Sequence, residues 1–262
     1  MHKRGQVTVF AILGILIIVI LAIIFYLYGS KVKIETQKEA KFDFSTVEPL
    51  KILMEDCLNQ IGNKALTLIG KQGGEINPGL YQNWNCKIAG ECDHVAYLCY
   101  TTENSACYNK KPFLKSFVEN EIITYVSREI NRCINLESIK NQGYNVKSEN
   151  LKVNTKLNDE NVIIDLDYPI TISKGEASIK QDKFSKTFNI PLGRLIKVAE
   201  DVVNMEINSP QGVALYEAYV LAQDGEVQLA RHTYKDSEIY VTNLRNNPYK
   251  FYFAIQNYVR LF

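Results

Sequence analysis

The chain has 262 residues, 46% of them hydrophobic, and its 30 basic side chains nearly cancel its 29 acidic ones. That balance gives no basic footprint for nucleic acid, and the length admits one or two domains. With three histidines and no Cys-x-x-Cys pair, a tetrahedral zinc knuckle has no recognisable ligand spacing either.

The first feature in chain order is the run from Val7 to Tyr28, aliphatic or aromatic except at Thr8 and Gly14, and without a charge. At about 1.5 Å per residue such a run covers roughly 30 Å, the hydrocarbon core of a bilayer. It predicts one transmembrane helix over residues 6–29. No second apolar run of comparable length follows, which excludes a multi-span channel or transporter. The run leads into Phe25, Tyr26, Leu27 and Tyr28 instead of the small residues of a cleavage site, and Tyr26 and Tyr28 suit the membrane interface. Charge does not orient the span, because Lys3 and Arg4 precede it while Lys31, Lys33, Lys38 and Lys41 follow. Cysteine use does. Cys57, Cys86, Cys92, Cys99, Cys107 and Cys133 form an even set in one half of the exposed chain, as expected of disulfides in an oxidising, extracytoplasmic compartment.

Ahead of the apolar run stand His2, Lys3, Arg4, Gly5 and Gln6. A basic pair, a Gly, a Gln and an immediate hydrophobic helix resemble the class III signal peptide of archaeal type IV pilin-like proteins. The resemblance is confined to this N-terminal segment. It implies a prepilin-type peptidase cutting between Gly5 and Gln6, so that residues 1–5 are a leader and the helix stays attached as membrane anchor or filament core. The pattern departs at the fifth mature position, Phe10, where many type IV pilins carry a Glu that neutralises a neighbour's N-terminal ammonium. An uncleaved signal anchor is the alternative.

Residues 30–44, rich in Lys and Glu, read as a solvated stalk. Ser45 to Glu48 fits a capping box. Leu50, Met54, Cys57, Ile61, Ala65 and Leu68 then share one helical face, with Gly70 as the expected stop. Gln72, Gly73, Gly74, Asn77, Pro78 and Gly79 make a turn-rich stretch, and Tyr81 to Lys111, with four cysteines, reads as a disulfide-stapled loop. After Pro112 a second amphipathic helix carries Leu114, Val118, Ile122, Val126, Ile130 and Cys133 on one stripe. Cys57 and Cys133 thus lie on the apolar faces of two helices, and a bridge between them is the favoured pairing, the other four closing the loop locally. Residues 45–140 are therefore expected to form a cysteine-rich helical subdomain.

From Tyr144 the period changes to two: Val146, Leu151, Val153 and Leu157, then Val162, Ile164 and Leu166, then Ile170 and Ile172. Polar turns at Asn158–Asp159–Glu160 and Lys174–Gly175–Glu176 predict an antiparallel meander up to Ile190. Helical spacing returns at Leu192, Leu195, Ile196, Ala199, Val202 and Val203, and Ser209 with Pro210 opens a further helical run through Tyr219. Ile239–Asn243 and Tyr249–Tyr258 flank Asn246, Asn247 and Pro248 as a terminal hairpin. Residues 141–262 are thus sheet plus helices. The fold class is α+β: an N-terminal transmembrane helix, then a disulfide-containing ectodomain with amphipathic helices packed on an antiparallel sheet.

Candidate chemistry is thin. Cys92, Asp93 and His94 are the nearest approach to a site, and a cystine beside an exposed His is the expected reading. Asp165 and Asp167 share one side of a strand, where a solvent face is expected. Gln72, Gly73 and Gly74 lack the Lys of a phosphate loop. Of Tyr234, Tyr240, Tyr249, Phe251, Tyr252, Phe253, Tyr258 and Phe262 some fill the core and alternation leaves others outward. Ordinary sheet packing is the main expectation, and an outward Tyr row for glycans or a partner protein, on a strand whose free edge pairs with another subunit, is the alternative. The expectation is a non-enzymatic, pilin-like surface protein without metal or cofactor. Its partners would be the membrane, a prepilin-type peptidase and copies of itself or other surface proteins, not nucleic acid. A signal-anchored receptor or binding module that never polymerises is the rival.

Overall fold

The computed structural model describes residues 14, 16–21, 46–87, 90–103, 105–208, 216–234 and 236–257. The chain divides into two units, Met1–Phe42 and Asp43–Phe262. In the first, Gly14 and residues 16–21 are helical, and Leu16 through Leu21 are each between 47 and 67% exposed. Among the described residues no helix is long and apolar enough to cross a membrane. The rest of the expected span, with Gly5, Gln6, Phe10, Tyr26, Tyr28 and the stalk, lies outside the described residues.

The second unit opens with helix α1, Glu48–Lys71. The expected capping box does not start it: Val47 is the N-cap and makes no side-chain hydrogen bond, while Ser45 lies outside the described residues. Glu48 and Pro49 in the first turn supply the start instead, a charge matched to the helix dipole and a residue whose missing N–H has no partner to lose there. The buried stripe is wider than predicted, adding Leu58, Leu66 and Ile69, and Leu68 is only half-buried. Gly70 is not the stop but a close contact, with Tyr249 and the Lys250 carbonyl against it. The helix ends one residue on, where the Gln72 and Gly74 N–H groups reach back to Leu68 and Ile69 and Gly73 and Gly74 take positive φ.

Helix α2, Leu114–Cys133, carries the predicted stripe. Short α3, Leu136–Asn141, is capped by Asn135, which accepts from the Ser138 N–H at 3.1 Å. Helices α4, Leu192–Asn208, and α5, Tyr216–Ala222, follow, and residues 209–215, with Ser209 and Pro210, lie outside the described residues.

The strands form two sheets. In the first, the order is β1 (Tyr81–Trp84), β2 (Asp93–Tyr100), β10 (Phe251–Gln256), β9 (Ser237–Leu244) and β8 (Val227–Tyr234), with β3 (Tyr108–Asn109) also beside β2. The second is the predicted meander, β5 (Lys152–Leu157), β6 (Val162–Lys174) and β7 (Ala177–Phe188), with β4 (Asn145–Ser148) also on β6. The ladder of β6 shifts register between Asp167 and Ile170, where Pro169 has no N–H to give and its carbonyl accepts from Glu149.

Two expectations are corrected here. The stretch from Tyr81 to Lys111 is not one stapled loop: it contains β1 to β3, and β2 runs inside the sheet with Val95 through Cys99 all buried. Strand β10 has no free edge, since β9 pairs it antiparallel and β2 pairs it parallel, with Ala254 beside Tyr97. The second unit is thus α+β with one mixed and one antiparallel sheet.

The helices lie between the sheets: α1 packs on β7 and on β2 and β10, α2 on α1, α4 and β5, and α4 on β9 and β10. The Cys57–Cys133 disulfide ties α1 to α2 with the Cα atoms 5.8 Å apart. Leu50, Met54, Leu66, Ile69, Ile122 and Ile130 have no exposed surface in this layer. Burying each such side chain stabilises the fold by roughly 1.5–3 kcal/mol before entropy is counted.

Candidate functional site: a groove in the curled sheet

Alternation along a strand gives the first sheet two faces. Tyr240, Phe251 and Phe253 point to the helices and are fully buried. The reverse face carries Val95, Tyr97, Ile239 and Ala254, which are also at most 6% exposed although they lie away from the helical layer. Curling of the sheet explains this. Trp84 on β1 lies 5.4 Å from the His232 ring and 6.0 Å from the Tyr234 ring on β8, with three strands between them. Four strand spacings in a flat sheet would hold them roughly 19 Å apart. The reverse face is therefore concave, floored by those four residues and flanked by Trp84, Tyr100 and Tyr252.

One end of the concavity is filled by polar side chains. The Tyr97 and Ser237 hydroxyls meet at 2.6 Å, Tyr97 also donates to Gln82 Oε1 at 3.0 Å, and Gln256 Nε2 donates to the Thr101 carbonyl at 3.2 Å. The other end opens as a groove of about 640 Å³. Its walls are Trp84, Tyr252 and His232, and its floor is the cross-strand pair Ala230 and Val241. The next pair along, Gln228 and Asn243, is joined by a 2.8 Å hydrogen bond from Asn243 Nδ2. Arg245 and Lys250, both exposed, close the end, and the Arg245 guanidinium lies over Gly225, where a Cβ would come within 2.8 Å of it.

No Asp or Glu among the described residues lines this groove. Among the described residues neither Arg245 nor Lys250 has a carboxylate within ion-pair distance. Burial, and then the charge of Asp93, raise the Tyr252 phenol above its ordinary range. Asp93 itself is engaged by Asn85 Nδ2 at 3.3 Å and by Lys71 at 3.8 Å.

The predicted candidates fall elsewhere. All six cysteines are bonded, as Cys57–Cys133, Cys86–Cys92 and Cys99–Cys107, which is the expected interhelical bridge with two local ones. Three disulfides suit an oxidising, extracytoplasmic environment. Cys92 is therefore no nucleophile, and His94 stacks on Tyr81 at 4.1 Å. Asp165 accepts from Ser185 at 2.6 Å, and Asp167 stands in register between Lys152 and Lys183, a solvated charge ladder.

Ordinary sheet packing, the main expectation, takes most of the aromatic row. Tyr240, Phe251 and Phe253 are core, and Tyr249 donates to the Leu66 carbonyl at 2.6 Å. Of the row, Tyr234 and Tyr252 alone among the described residues turn to the concave face, and Tyr258 and Phe262 lie outside the described residues. Tyr240 has a structural partner: with Tyr216 and Asn257 it donates to the buried Glu206 carboxylate, and burial together with that charge pushes its phenol far up.

Trp84, Gln228, Asn243, Arg245 and Lys250 carry no motif. The available signals were that Trp84 is the single tryptophan and that Gln228, Ala230, His232 and Tyr234 alternate. No family model, curated protein or solved structure matches the chain.

Proposed function

We propose that the chain is a non-enzymatic, membrane-anchored surface protein, pilin-like at its N-terminus, whose ectodomain works outside the cytoplasm in adhesion, assembly or envelope structure. The observation that carries the placement outside the cytoplasm is the complete pairing of the six cysteines. Two features support the anchor: the uncharged run from Val7 to Tyr28, and the exposure of six consecutive aliphatic residues from Leu16 to Leu21. The Gly5–Gln6 junction supports processing by a prepilin-type peptidase.

Mass spectrometry of intact protein and N-terminal peptide, purified from native membrane without reductant, tests placement and processing together. The expected product begins at Gln6 and holds three disulfides. Six reactive thiols in the unreduced, denatured protein would overturn the extracytoplasmic placement.

A second reading, a signal-anchored binding module that does not polymerise, is favoured by two observations: β10 offers no free edge to another subunit, and the concave face opens as a groove. A chain still beginning at Met1 with its disulfides intact supports that reading. So does a Phe10→Glu variant whose filament yield equals that of the parent, since helix-on-helix packing of subunits makes that position matter.

A further inference from the structure

We infer that the groove on the curled sheet binds an anionic saccharide, a short stretch of glycan bearing uronic-acid carboxylates. The inference rests on the extracytoplasmic placement proposed above for its biological sense, though not for its geometry. Three properties of the groove point the same way. Its walls are the rings of Trp84 and Tyr252, each half-buried and so held in place with part of the ring still open. Such amphipathic surfaces offer an apolar body to the C–H face of a sugar ring and lose little entropy on contact. Between them the floor drops to Ala230 and Val241, leaving room for a ring instead of a side chain of the protein.

The second property is charge. Among the described residues, Arg245 and Lys250 stand at one end without a carboxylate within ion-pair distance, and none of the groove's lining residues is acidic. A neutral sugar would leave both cations unused. A guanidinium presents a planar fork that matches a carboxylate in two parallel hydrogen bonds. The third is the amide pair: Asn243 donates one N–H to the Gln228 amide oxygen, and Gln228, which also lines the groove, carries two N–H donors of its own of the kind that ring hydroxyls or a carboxylate accept from. The volume of about 640 Å³ falls within the usual range for small-ligand sites.

An acidic peptide meets the charge by another route. Peptides bind sheets by adding a strand at an open edge. Strands β9 and β10, which bear Val241, Asn243 and Tyr252, are paired on both sides, whereas among the described residues β8 and β1, at the two ends of the strand order, each keep one open edge. A strand added there would draw on main-chain groups and not on the Trp84 and Tyr252 rings or the amide pair, so tetraglutamate is the competitor that separates the two.

The test uses the purified full chain in detergent with its disulfides intact, and Trp84 as the only tryptophan reporter. It is titrated with a tetramer of galacturonic acid, a neutral glucose tetramer, a sulfated disaccharide and tetraglutamate. The uronate should shift Trp84 emission saturably and bind about tenfold more tightly than the neutral glucan, with affinity falling as salt is raised. Arg245→Gln and Tyr252→Ala should each weaken it about tenfold. Both residues are outside the helical core, and unchanged far-UV ellipticity checks that each variant folds. Tighter binding of the sulfated sugar would move the ligand to sulfated glycans and overturn the carboxylate assignment. Equal binding of the neutral glucan, tighter binding of tetraglutamate, or no binding of any sugar would overturn the saccharide itself. None of these results touches the placement, which the disulfide and N-terminal masses decide separately.

Discussion

A glycine in the interior of a helix ordinarily destabilises it by about 1 kcal/mol relative to alanine. At Gly62 the sign should invert, because a Cβ there would lie 2.2 Å from the Phe188 ring, which packs from β7 onto α1. Gly62→Ala is expected to lower stability by roughly 1–3 kcal/mol, the usual range for overpacking a core. Urea unfolding measures it, and a variant as stable as the parent would mean that the ring moves aside freely. Glu200 makes a second argument from one side chain. On α4 it faces the backbone N–H groups of Lys115 and Leu114 at the start of α2, which favour its charged form, yet burial and then the neighbouring Asp201 charge outweigh them and raise its pKa. A carboxyl raised on folding holds its proton more tightly in the native state. Its contribution is therefore present at low pH and is lost as pH rises from the unfolded value through the raised one. Glu200→Gln keeps an acceptor oxygen for α2 and removes the titration, so urea midpoints measured across that window should fall less steeply with pH than in the parent. An unchanged slope would assign the pH dependence to other groups.

Between elements, the disulfides should rank by the chain they close. Cys57–Cys133 spans 76 residues, against 6 for Cys86–Cys92. The chain-entropy relation gives upper estimates of roughly 4.5 and 2.2 kcal/mol for them. Replacing each pair by alanine should preserve that order in urea midpoint at constant m-value, and a reversed order would place most of the effect in local packing. The same elements show what was legible in sequence. Helices α1, α2 and α4 each present one apolar stripe, so their period was visible, as was the bridge that joins two stripes. Strand β6 alternates buried and exposed residues and was equally plain. Strand β2 was not, because it is covered on both faces and Val95 to Cys99 show no alternation. Strand β8 failed for the opposite reason: at the sheet edge it exposes residues of both faces, so no apolar period marks it. Nothing local encodes the parallel pairing of β2 with β10, or the curl that brings Trp84 to His232. The groove, assembled from strands far apart in sequence, was therefore invisible, although its single tryptophan was in plain sight.

At the scale of the second unit, the two sheets share one helical layer. Helix α1 touches both: Gly62 faces Phe188 in the second sheet, and Gly70 meets Tyr249 and Lys250 just ahead of β10 in the first. Removing either sheet would strip apolar cover from α1, and α2 and α4 are packed against each other as well as against opposite sheets. A layer shared in this way couples the halves, so residues 43–262 should unfold as one cooperative unit despite the change from helical to strand pattern near residue 144. Trp84 fluorescence reports the curled sheet, whereas far-UV ellipticity is dominated by the helices. In urea, with disulfides intact, the two signals should give the same midpoint. An earlier Trp84 transition would mean that β1 swings away from β8 as a local opening, uncurling the concave face while the helical layer holds. Saturating the groove with a ligand that touches Trp84 would then delay that early transition and leave the ellipticity midpoint where it was, which separates a local opening of the site from global unfolding.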